Sequence, residues 1–287
     1  MGYKYIVKIL IFLQYFFIYL RCLTRLLLLL VWLLLSLITF IIFRALNIKI
    51  CKSIPRYFHI GFLKILNFKI HLVGNIHTEK PGLLISNHAS WTDISILSSL
   101  TNISFIAKSE VAKWPLFGFL ARLQDTFFVE RRSIKAAEQK AEINNILLKG
   151  KRLVLFPEGT SSDGNRVLKF KSSLFSIAEN KIENSENYLI QAVTICYKGV
   201  NGLPMSRSER PFISWWGNMG LMKHMWNILT LNSVNILVIA HQPLENTYDR
   251  KTLSKLAWLQ VSHGLGLALS GRPRSLNYKE SIFEAIG

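Results

Sequence analysis

A histidine and an aspartate five positions apart are the residues of this sequence best suited to chemistry. They are His88 and Asp93, and they follow the apolar run Leu83–Ile85. Five residues of α-helix rotate by roughly 500°, so side chains at this spacing do not share one helical face. We therefore predict that His88 lies in a turn, between a strand at Leu83–Ser86 and a helix that begins near Trp91.

In this arrangement Asp93 falls in the first turn of the helix, and its carboxylate reaches back toward the imidazole of His88. An ionised carboxylate fixes the tautomer of an imidazole and raises its basicity, which suits a general base acting on an alcohol. The same pattern also has a purely structural interpretation. Ser90 would be the N-cap of the helix, Asp93 would complete an acidic capping box, and His88 would be an ordinary polar surface residue.

Further charged residues follow two other apolar runs. Glu158 comes two residues after the run Leu153–Phe156, in a turn that Pro157 and Gly159 enforce. Arg131 and Arg132 come just after the run Thr126–Val129, and taken alone they could be a solvated basic pair. The strand ends of an α/β sheet are nevertheless where binding sites assemble, and arginine is well suited to bidentate binding of phosphate.

Short apolar runs alternate with helical patterns along most of the chain. The runs predict strands, and the longer patterns predict helices. Because this alternation is typical of α/β folds, we predict a mixed, largely parallel sheet flanked by helices. The predicted strands are Ile70–Val73, Leu83–Ile85, Ser104–Ala107, Thr126–Val129, Leu153–Phe156, Leu189–Ile195 and Val234–Ile239, and the predicted helices include Ser133–Leu148 and Phe170–Asn180.

The charge of the chain is strongly positive and unevenly distributed. The 287 residues include 35 Lys and Arg against 17 Asp and Glu, which gives a net charge of +18, and 50% of the residues are hydrophobic. Residues 1–78 contain no acidic residue, while basic residues flank their apolar segments. This pattern favours an anionic membrane surface over nucleic acid, for which no binding motif is evident. The three cysteines form no CxxC pattern, so we expect a reducing compartment and no structural metal.

Two apolar runs precede the predicted sheet. Leu26–Phe43 has 18 residues without a charge, which is just enough to cross a bilayer, and Ile9–Leu20 is shorter. They predict a retained membrane anchor, either one spanning helix with an interfacial one or a helical hairpin partly in one leaflet. The predicted organisation is a membrane anchor of one or two hydrophobic helices at residues 1–50, a globular domain at 51–250, and a C-terminal helix with a polar tail at 251–287.

Taken in order, the motifs between about Lys69 and Leu244 resemble the PlsC-like family of glycerolipid acyltransferases. The first motif of that family, Asn-His-x-x-x-x-Asp, is matched by Asn87, His88 and Asp93. The others are Phe-[Ile/Val]-x-Arg, Phe-Pro-Glu-Gly-[Thr/Ser], and a Lys-x-Glu segment followed by Pro and Gly. They are matched by Phe128, Val129 and Arg131, by Phe156 to Thr160, and by Lys108, Glu110, Pro115 and Gly118.

Two motifs depart from this family pattern. The usual Val-Pro-Val is replaced by Gln191-Ala192-Val193, and the usual Phe-Lys-x-Gly reads Phe170-Lys171-Ser172-Ser173. These changes concern details of the acceptor pocket rather than the chemistry. The later run from Trp215 to Trp226 is similar to a segment of bacterial members.

The resemblance implies an acyltransferase of phospholipid biosynthesis. It would move a fatty acyl group from acyl-CoA or acyl-carrier protein to the sn-2 hydroxyl of 1-acylglycerol 3-phosphate, giving phosphatidic acid. His88 would be the general base and Asp93 would orient it, and no acyl-enzyme is expected, because the chain has no Gly-x-Ser-x-Gly elbow. The substrate-binding residues would be Lys108 and Arg131 for the phosphate, with Glu158, Gly159 and Thr160 around the glycerol part.

The expected partners are the bilayer, a lysophospholipid and an acyl thioester, with no cofactor, no metal and no nucleic acid. The expected location is the bacterial inner membrane, with the catalytic domain on the cytoplasmic side. Two alternatives remain open. The same chemistry could serve another acceptor, such as a lyso-ornithine lipid or another lysolipid, or the chain could be a non-catalytic protein whose basic face binds anionic lipid. A dinucleotide site at Gly264-Leu265-Gly266 is disfavoured, because the third glycine and a preceding strand are absent.

Overall fold

An N-terminal helix of 44 residues precedes an α/β domain. The computed structural model describes residues 2–130, 136–177, 188–245 and 248–271. The helices are α1 (Gly2–Ala45), α2 (Ile54–Ile65), α3 (Thr92–Leu100), α4 (Phe117–Leu123), α5 (Ala136–Leu148), α6 (Arg210–Ile213), α7 (Leu221–Thr230) and α8 (Arg250–Ser270), with short 3₁₀ segments at Lys49–Ser53, Ser109–Lys113 and Ser172–Ile177. The strands are β1 (Phe68–Val73), β2 (Gly82–Ser86), β3 (Ser104–Lys108), β4 (Phe127–Val129), β5 (Arg152–Leu155), β6 (Leu189–Val200), β7 (Leu203–Pro204) and β8 (Val234–Leu244).

The strands form one mixed sheet in the order β1-β8-β6-β2-β5-β3-β4, and β7 extends β6 as a short hairpin. All neighbouring pairs are parallel except β6 with β8 and β6 with β7. This confirms the predicted fold class. Strands β2, β5, β3 and β4 are adjacent and parallel, so their carboxyl ends lie along one edge of the sheet, where sites form in such folds.

Alternate side chains of the central strands feed two separate cores. In β2, Leu83 is buried on the face covered by α5 and α8, whereas Leu84 is buried on the face covered by α2, α3 and α7. In β5, Leu153 and Val154 divide in the same way. Because successive strand residues point to opposite faces, these continuous apolar runs bury both faces of the sheet.

The two apolar runs near the N-terminus form the single continuous helix α1. At 1.5 Å per residue its 44 residues extend over about 66 Å, roughly twice the thickness of the hydrocarbon core of a bilayer. Its most apolar window of 18 residues has a mean hydropathy of 3.1, and the helix is long and apolar enough to cross a membrane. Most of its large apolar side chains are exposed to solvent in the isolated chain.

The middle of α1 is docked on the α/β domain. Arg25 is 6% exposed and donates hydrogen bonds to four backbone carbonyls, those of Leu66, Leu229, Leu231 and Asn232. These carbonyls follow or end α2 and α7, so the guanidinium satisfies helix-end acceptors that lack intrahelical partners. Farther along α1, the indole Nε1 of Trp32 donates to the carbonyl of Phe58 at 2.9 Å. The predicted anchor segment is therefore one helix, attached along one side to the domain.

The sequence-based boundaries agree with most of the structure. Every predicted strand overlaps an observed one, and α5 covers the described part of the predicted helix Ser133–Leu148. The predicted helix Phe170–Asn180 is in its described part the 3₁₀ segment Ser172–Ile177. Helix α8 begins at an Asp249 N-cap, whose carboxylate accepts from two backbone N–H groups, and it packs on the sheet through Leu253, Ala257 and Val261.

Candidate active site

His88 and Asp93 form a hydrogen-bonded pair at the carboxyl end of β2. The distance from His88 Nδ1 to Asp93 Oδ2 is 2.9 Å. Since an ionised carboxylate only accepts, Nδ1 carries the proton and Nε2 is the basic nitrogen. The His88 side chain is 19% exposed and that of Asp93 is fully buried, so only the histidine is open to a substrate. Among the described residues, no group hydrogen-bonds Nε2.

The carboxylate of Asp93 is fixed by backbone groups as well as by His88. Its Oδ2 accepts from the N–H groups of Ala89 at 2.7 Å and Ser90 at 2.9 Å. Helix α3 begins at Thr92 after Trp91, so the expectation that Ser90 is the N-cap is corrected. The N–H of Ser90 binds the Asp93 carboxylate, as in a capping box, but its hydroxyl accepts from no backbone N–H of α3. The capping and catalytic interpretations therefore coexist, since one carboxylate closes the turn and orients the imidazole.

Tyr197 is a member of the site that the motifs did not reveal. Its hydroxyl donates to Asp93 Oδ1 at 2.5 Å, and Thr92 Oγ1 lies 2.7 Å from the same hydroxyl. Tyr197 is 3% exposed, and burial followed by the charge of Asp93 raises its pKa well above the ordinary value for tyrosine. The phenol therefore stays protonated and acts as a permanent donor to the carboxylate.

Asn87 joins the end of β2 to β6, which carries Tyr197. Its Oδ1 accepts from the N–H of Ile195 at 2.8 Å, and its Nδ2 donates to the carbonyl of Ile195 at 2.9 Å. The buried amide thus continues the sheet ladder where the β2 backbone leaves it for the turn. This fixes the position of His88, the next residue, relative to Tyr197.

The turn after β5 supports the imidazole from the other side. The ring of Phe156 stacks on the ring of His88 with centroids 4.3 Å apart. The carboxylate of Glu158 is 2% exposed and accepts from the backbone N–H groups of His88 at 2.8 Å and Leu168 at 2.9 Å. Burial raises the pKa of Glu158 to about 8, against the opposing effect of these two donors. In this structure Glu158 holds backbone in place, and its contact with substrate stays a prediction.

The next two predicted residues line the open side of this turn. Gly159 has φ +70°, which favours glycine, and a side chain there would meet the ammonium end of Lys171 at 2.8 Å. Thr160 is exposed. Lys171, which is also exposed, therefore places a cation beside the Glu158–Gly159 turn. The sequence signal for Lys171 was its place in the partly matched Phe-Lys segment.

Lys108 and Arg131 were predicted to bind the acceptor's phosphate. Lys108 is exposed and ends β3, the second strand from β2 on the catalytic edge of the sheet. Arg131 and the neighbouring Arg132 lie outside the described residues, two and three positions after β4 ends at Val129. The roles of both predicted phosphate ligands stay predictions.

Comparisons with known proteins match this arrangement. A family model for acyltransferases, described as Acyltransferase, matches residues 67–197. A lyso-ornithine lipid O-acyltransferase of Brucella abortus is 43% identical over 226 residues, which cover 77% of this chain and 85% of that protein. The chain belongs to the PlsC-like acyltransferase family. Membership in this family, with the His88–Asp93 pair intact, disfavours the non-catalytic alternative.

Other relatives of this PlsC-like acyltransferase carry two different names. A lyso-ornithine lipid O-acyltransferase of Rhizobium meliloti is 38% identical over 237 residues, covering 80% of each chain. A 1-acyl-sn-glycerol-3-phosphate acyltransferase of Neisseria gonorrhoeae is 32% identical over 169 residues, covering 58% of this chain and 62% of that protein. The crystal structure of the 1-acyl-sn-glycerophosphate acyltransferase PlsC of Thermotoga maritima, with a TM-score of 0.58 and 21% identity, covers 86% of this chain and 96% of its own and shares the fold.

Proposed function

We propose that this enzyme acylates the free hydroxyl of a lyso-ornithine lipid. The observation that carries the choice of acceptor is the 43% identity to the Brucella abortus lyso-ornithine lipid O-acyltransferase, which extends over 85% of that protein. The sequence motifs alone had favoured 1-acylglycerol 3-phosphate. The relatives named for that acceptor match a shorter part of the chain at lower identity, so it becomes the second candidate.

The geometry of the site supports direct transfer of the acyl group. His88 Nε2 accepts the proton of the acceptor hydroxyl while the hydroxyl oxygen attacks the thioester carbonyl. The resulting imidazolium is stabilised by the buried carboxylate of Asp93. When the tetrahedral intermediate collapses, the C–S bond breaks and the imidazolium returns the proton to the departing thiolate. The products are an ester and a free thiol, and His88 ends in its starting state.

The basic residues at the site suit either candidate acceptor. A lyso-ornithine lipid presents a zwitterionic amino acid without phosphate, whereas lysophosphatidic acid presents a compact phosphate close to the reacting hydroxyl. Both therefore offer an anionic group to Lys171 beside Gly159, and to Lys108 at the end of β3. Charge-assisted contacts of this kind are each worth about 1.5–3 kcal/mol.

The membrane location that we propose follows from α1 and from the substrates. Both candidate acceptors are lipids, and α1 carries an exposed apolar surface that suits a bilayer. Acyl-CoA and acyl-carrier protein are both cytoplasmic thioesters, so the active site would face the cytoplasm at the inner membrane. The donor used in the cell is one of these two.

The test is a side-by-side measurement of kcat/KM with purified full-length protein. The acceptors are a lyso-ornithine lipid and lysophosphatidic acid, each offered with labelled acyl-CoA and with labelled acyl-carrier protein. We expect a preference of roughly tenfold or more for the lyso-ornithine lipid, equivalent to about 1.4 kcal/mol of transition-state binding. A preference for lysophosphatidic acid would reverse the assignment of the acceptor, and acylation of neither would reject both.

A matched pair of lysine variants separates headgroup binding from general surface charge. Lys171→Met should lower kcat/KM for the preferred acceptor, because it removes the cation beside Gly159. Lys169→Met removes an exposed cation two residues earlier and should leave kcat/KM unchanged. Equal effects of the two variants would contradict the role of Lys171.

A further inference from the structure

A second apolar surface lies apart from α1 and close to the catalytic turn. It consists of large apolar side chains on α7, on the loop before α7, and on α4 and the segment that leads into it. Met222 is 72% exposed, Trp216 40% and Trp226 39%. We call this surface the aromatic face; its members used below are Trp114, Phe119, Trp216, Met219, Met222 and Trp226.

The aromatic face is continuous with the docked part of α1. The ring of Trp226 lies 6.3 Å from that of Tyr19 in α1, and Arg21 donates to the carbonyl of Thr230 at the end of α7. At the other side of the face, the rings of Trp114 and Trp215 meet edge to face at 6.0 Å. The aromatic face therefore meets α1 through Trp226 at one end and the segment before α4 through Trp114 at the other.

The charged residues of the two segments that supply this face have one sign. Residues 112–122 and 211–230, which supply the face, contain no Asp or Glu. They do contain Lys113, Arg122 and Lys223, all exposed. Tryptophan with lysine or arginine is the composition found where proteins meet the headgroup level of a bilayer, and basic residues there are attracted to anionic lipid.

The aromatic face is also attached directly to the catalytic turn. The N–H of Trp215 donates to the carbonyl of Ala89, next to His88, at 2.8 Å. In addition, the indole Nε1 of Trp91 donates to Nδ1 of the buried His224 in α7 at 3.0 Å. Whatever binds α7 and the loop before it is therefore connected, through these two hydrogen bonds, to the backbone beside His88.

We propose that the aromatic face inserts into the headgroup region of an anionic bilayer beside α1. A lysolipid then reaches His88 from the membrane plane without leaving the bilayer. A bilayer is the partner favoured by the contact of this face with α1, by its tryptophans and by the absence of acidic residues from the two segments that supply it. Insertion of the face does not depend on which lysolipid reacts, while its effect on turnover rests on the proposed acyl transfer.

The first test measures contact between tryptophan and lipid by fluorescence quenching. Full-length protein is placed in vesicles of phosphatidylethanolamine and phosphatidylglycerol in equal parts, with or without phosphatidylcholine brominated on its acyl chains. The double variant Trp216→Phe/Trp226→Phe removes two of the seven tryptophans and should lower the quenched fraction of the fluorescence. Trp258→Phe, which removes a half-buried tryptophan from α8 on the other side of the sheet, should raise that fraction. A quenched fraction that the double variant leaves unchanged or raises would overturn the proposal.

The second test introduces an acid on the face and measures turnover. Met222→Glu should lower the initial rate several-fold with acceptor embedded in the same vesicles, while the rate in detergent micelles stays unchanged. Leu148→Glu, at an exposed position on α5, is the matched control and should change neither rate. If Met222→Glu fails to fold, the conservative tryptophan variants still decide the question. Equal rates in vesicles for wild type and a folded Met222→Glu would count against insertion. Absence of turnover in every lipid would instead reject the proposed acceptors, and it would leave the quenching result unaffected.

Discussion

Replacing Tyr197 with phenylalanine should change the pH dependence of catalysis without touching the substrate. The substitution keeps the ring that packs in β6 and removes only the hydroxyl that donates to Asp93 Oδ1 at 2.5 Å. The carboxylate is fully buried, so water does not replace the lost donor. The negative charge of the His88–Asp93 pair is then less stabilised, and the pair binds a proton more tightly.

The expected size of the effect follows from the energy of that hydrogen bond. A hydrogen bond to a charged group is worth about 1.5–3 kcal/mol, and 1.36 kcal/mol corresponds to roughly one pKa unit. The three other donors to Asp93 remain in place, so we take the lower end of this range, which corresponds to about one pH unit. Since the protonated pair lacks a free base, the acidic limb of kcat/KM should move to higher pH by this amount.

The assay is a profile of kcat/KM against pH for wild type and Tyr197→Phe, with the free energy of unfolding measured on the same proteins. Tyr188→Phe is the control. Tyr188 is a buried tyrosine in the core on the other face of the sheet, so loss of its hydroxyl should affect stability only. A Tyr197→Phe profile with an unshifted acidic limb, or a shift to lower pH, would refute the inferred action of Tyr197 through Asp93.

Three further predictions concern the support of the site. Burial raises the pKa of Glu158 from 4.5 to about 8, so between these pH values the folded state keeps a proton that the unfolded chain loses. The free energy of unfolding should therefore fall as pH rises from 4.5 to about 8. Glu158→Gln should flatten this slope in unfolding measurements. Gly264→Ala should destabilise the fold by about 1–3 kcal/mol in denaturant titrations, because its Cβ would lie 2.6 Å from Thr194 Oγ1. Arg25→Met should leave buried carbonyls unpaired at a cost of about 1–3 kcal/mol, and should speed proteolytic cleavage between α1 and α2.

The features that sequence could predict are local ones. The spacing of His88 and Asp93 excludes a shared helical face, so it predicted a turn that brings the two side chains together. The strands followed from apolar runs, because the inner strands are covered on both faces. The position of Glu158 at a strand end followed from Pro157 and Gly159, which stop the strand.

The features that sequence missed depend on pairings between distant parts of the chain. Tyr197 reaches Asp93 across 104 positions, through the register of β2 with β6, and in the sequence it is one of nine tyrosines with no motif around it. Arg25 interrupts an apolar run, which suggests the edge of a membrane, yet it binds carbonyls near α2 and α7. The N-cap was placed at Ser90 instead of Trp91, because Ser90-x-x-Asp93 has the sequence of a capping box although the helix begins one residue later.

Acyl transfer by His88→Ala tests the catalytic assignment most directly. The rate is measured at saturating donor with the acceptor that wild type prefers, alongside circular dichroism and vesicle binding of the same preparation. General-base assistance contributes roughly 10²- to 10⁴-fold, so we expect a loss of that order in a folded, membrane-bound variant. Turnover close to the wild-type rate in such a preparation would contradict the assignment of His88 as the base.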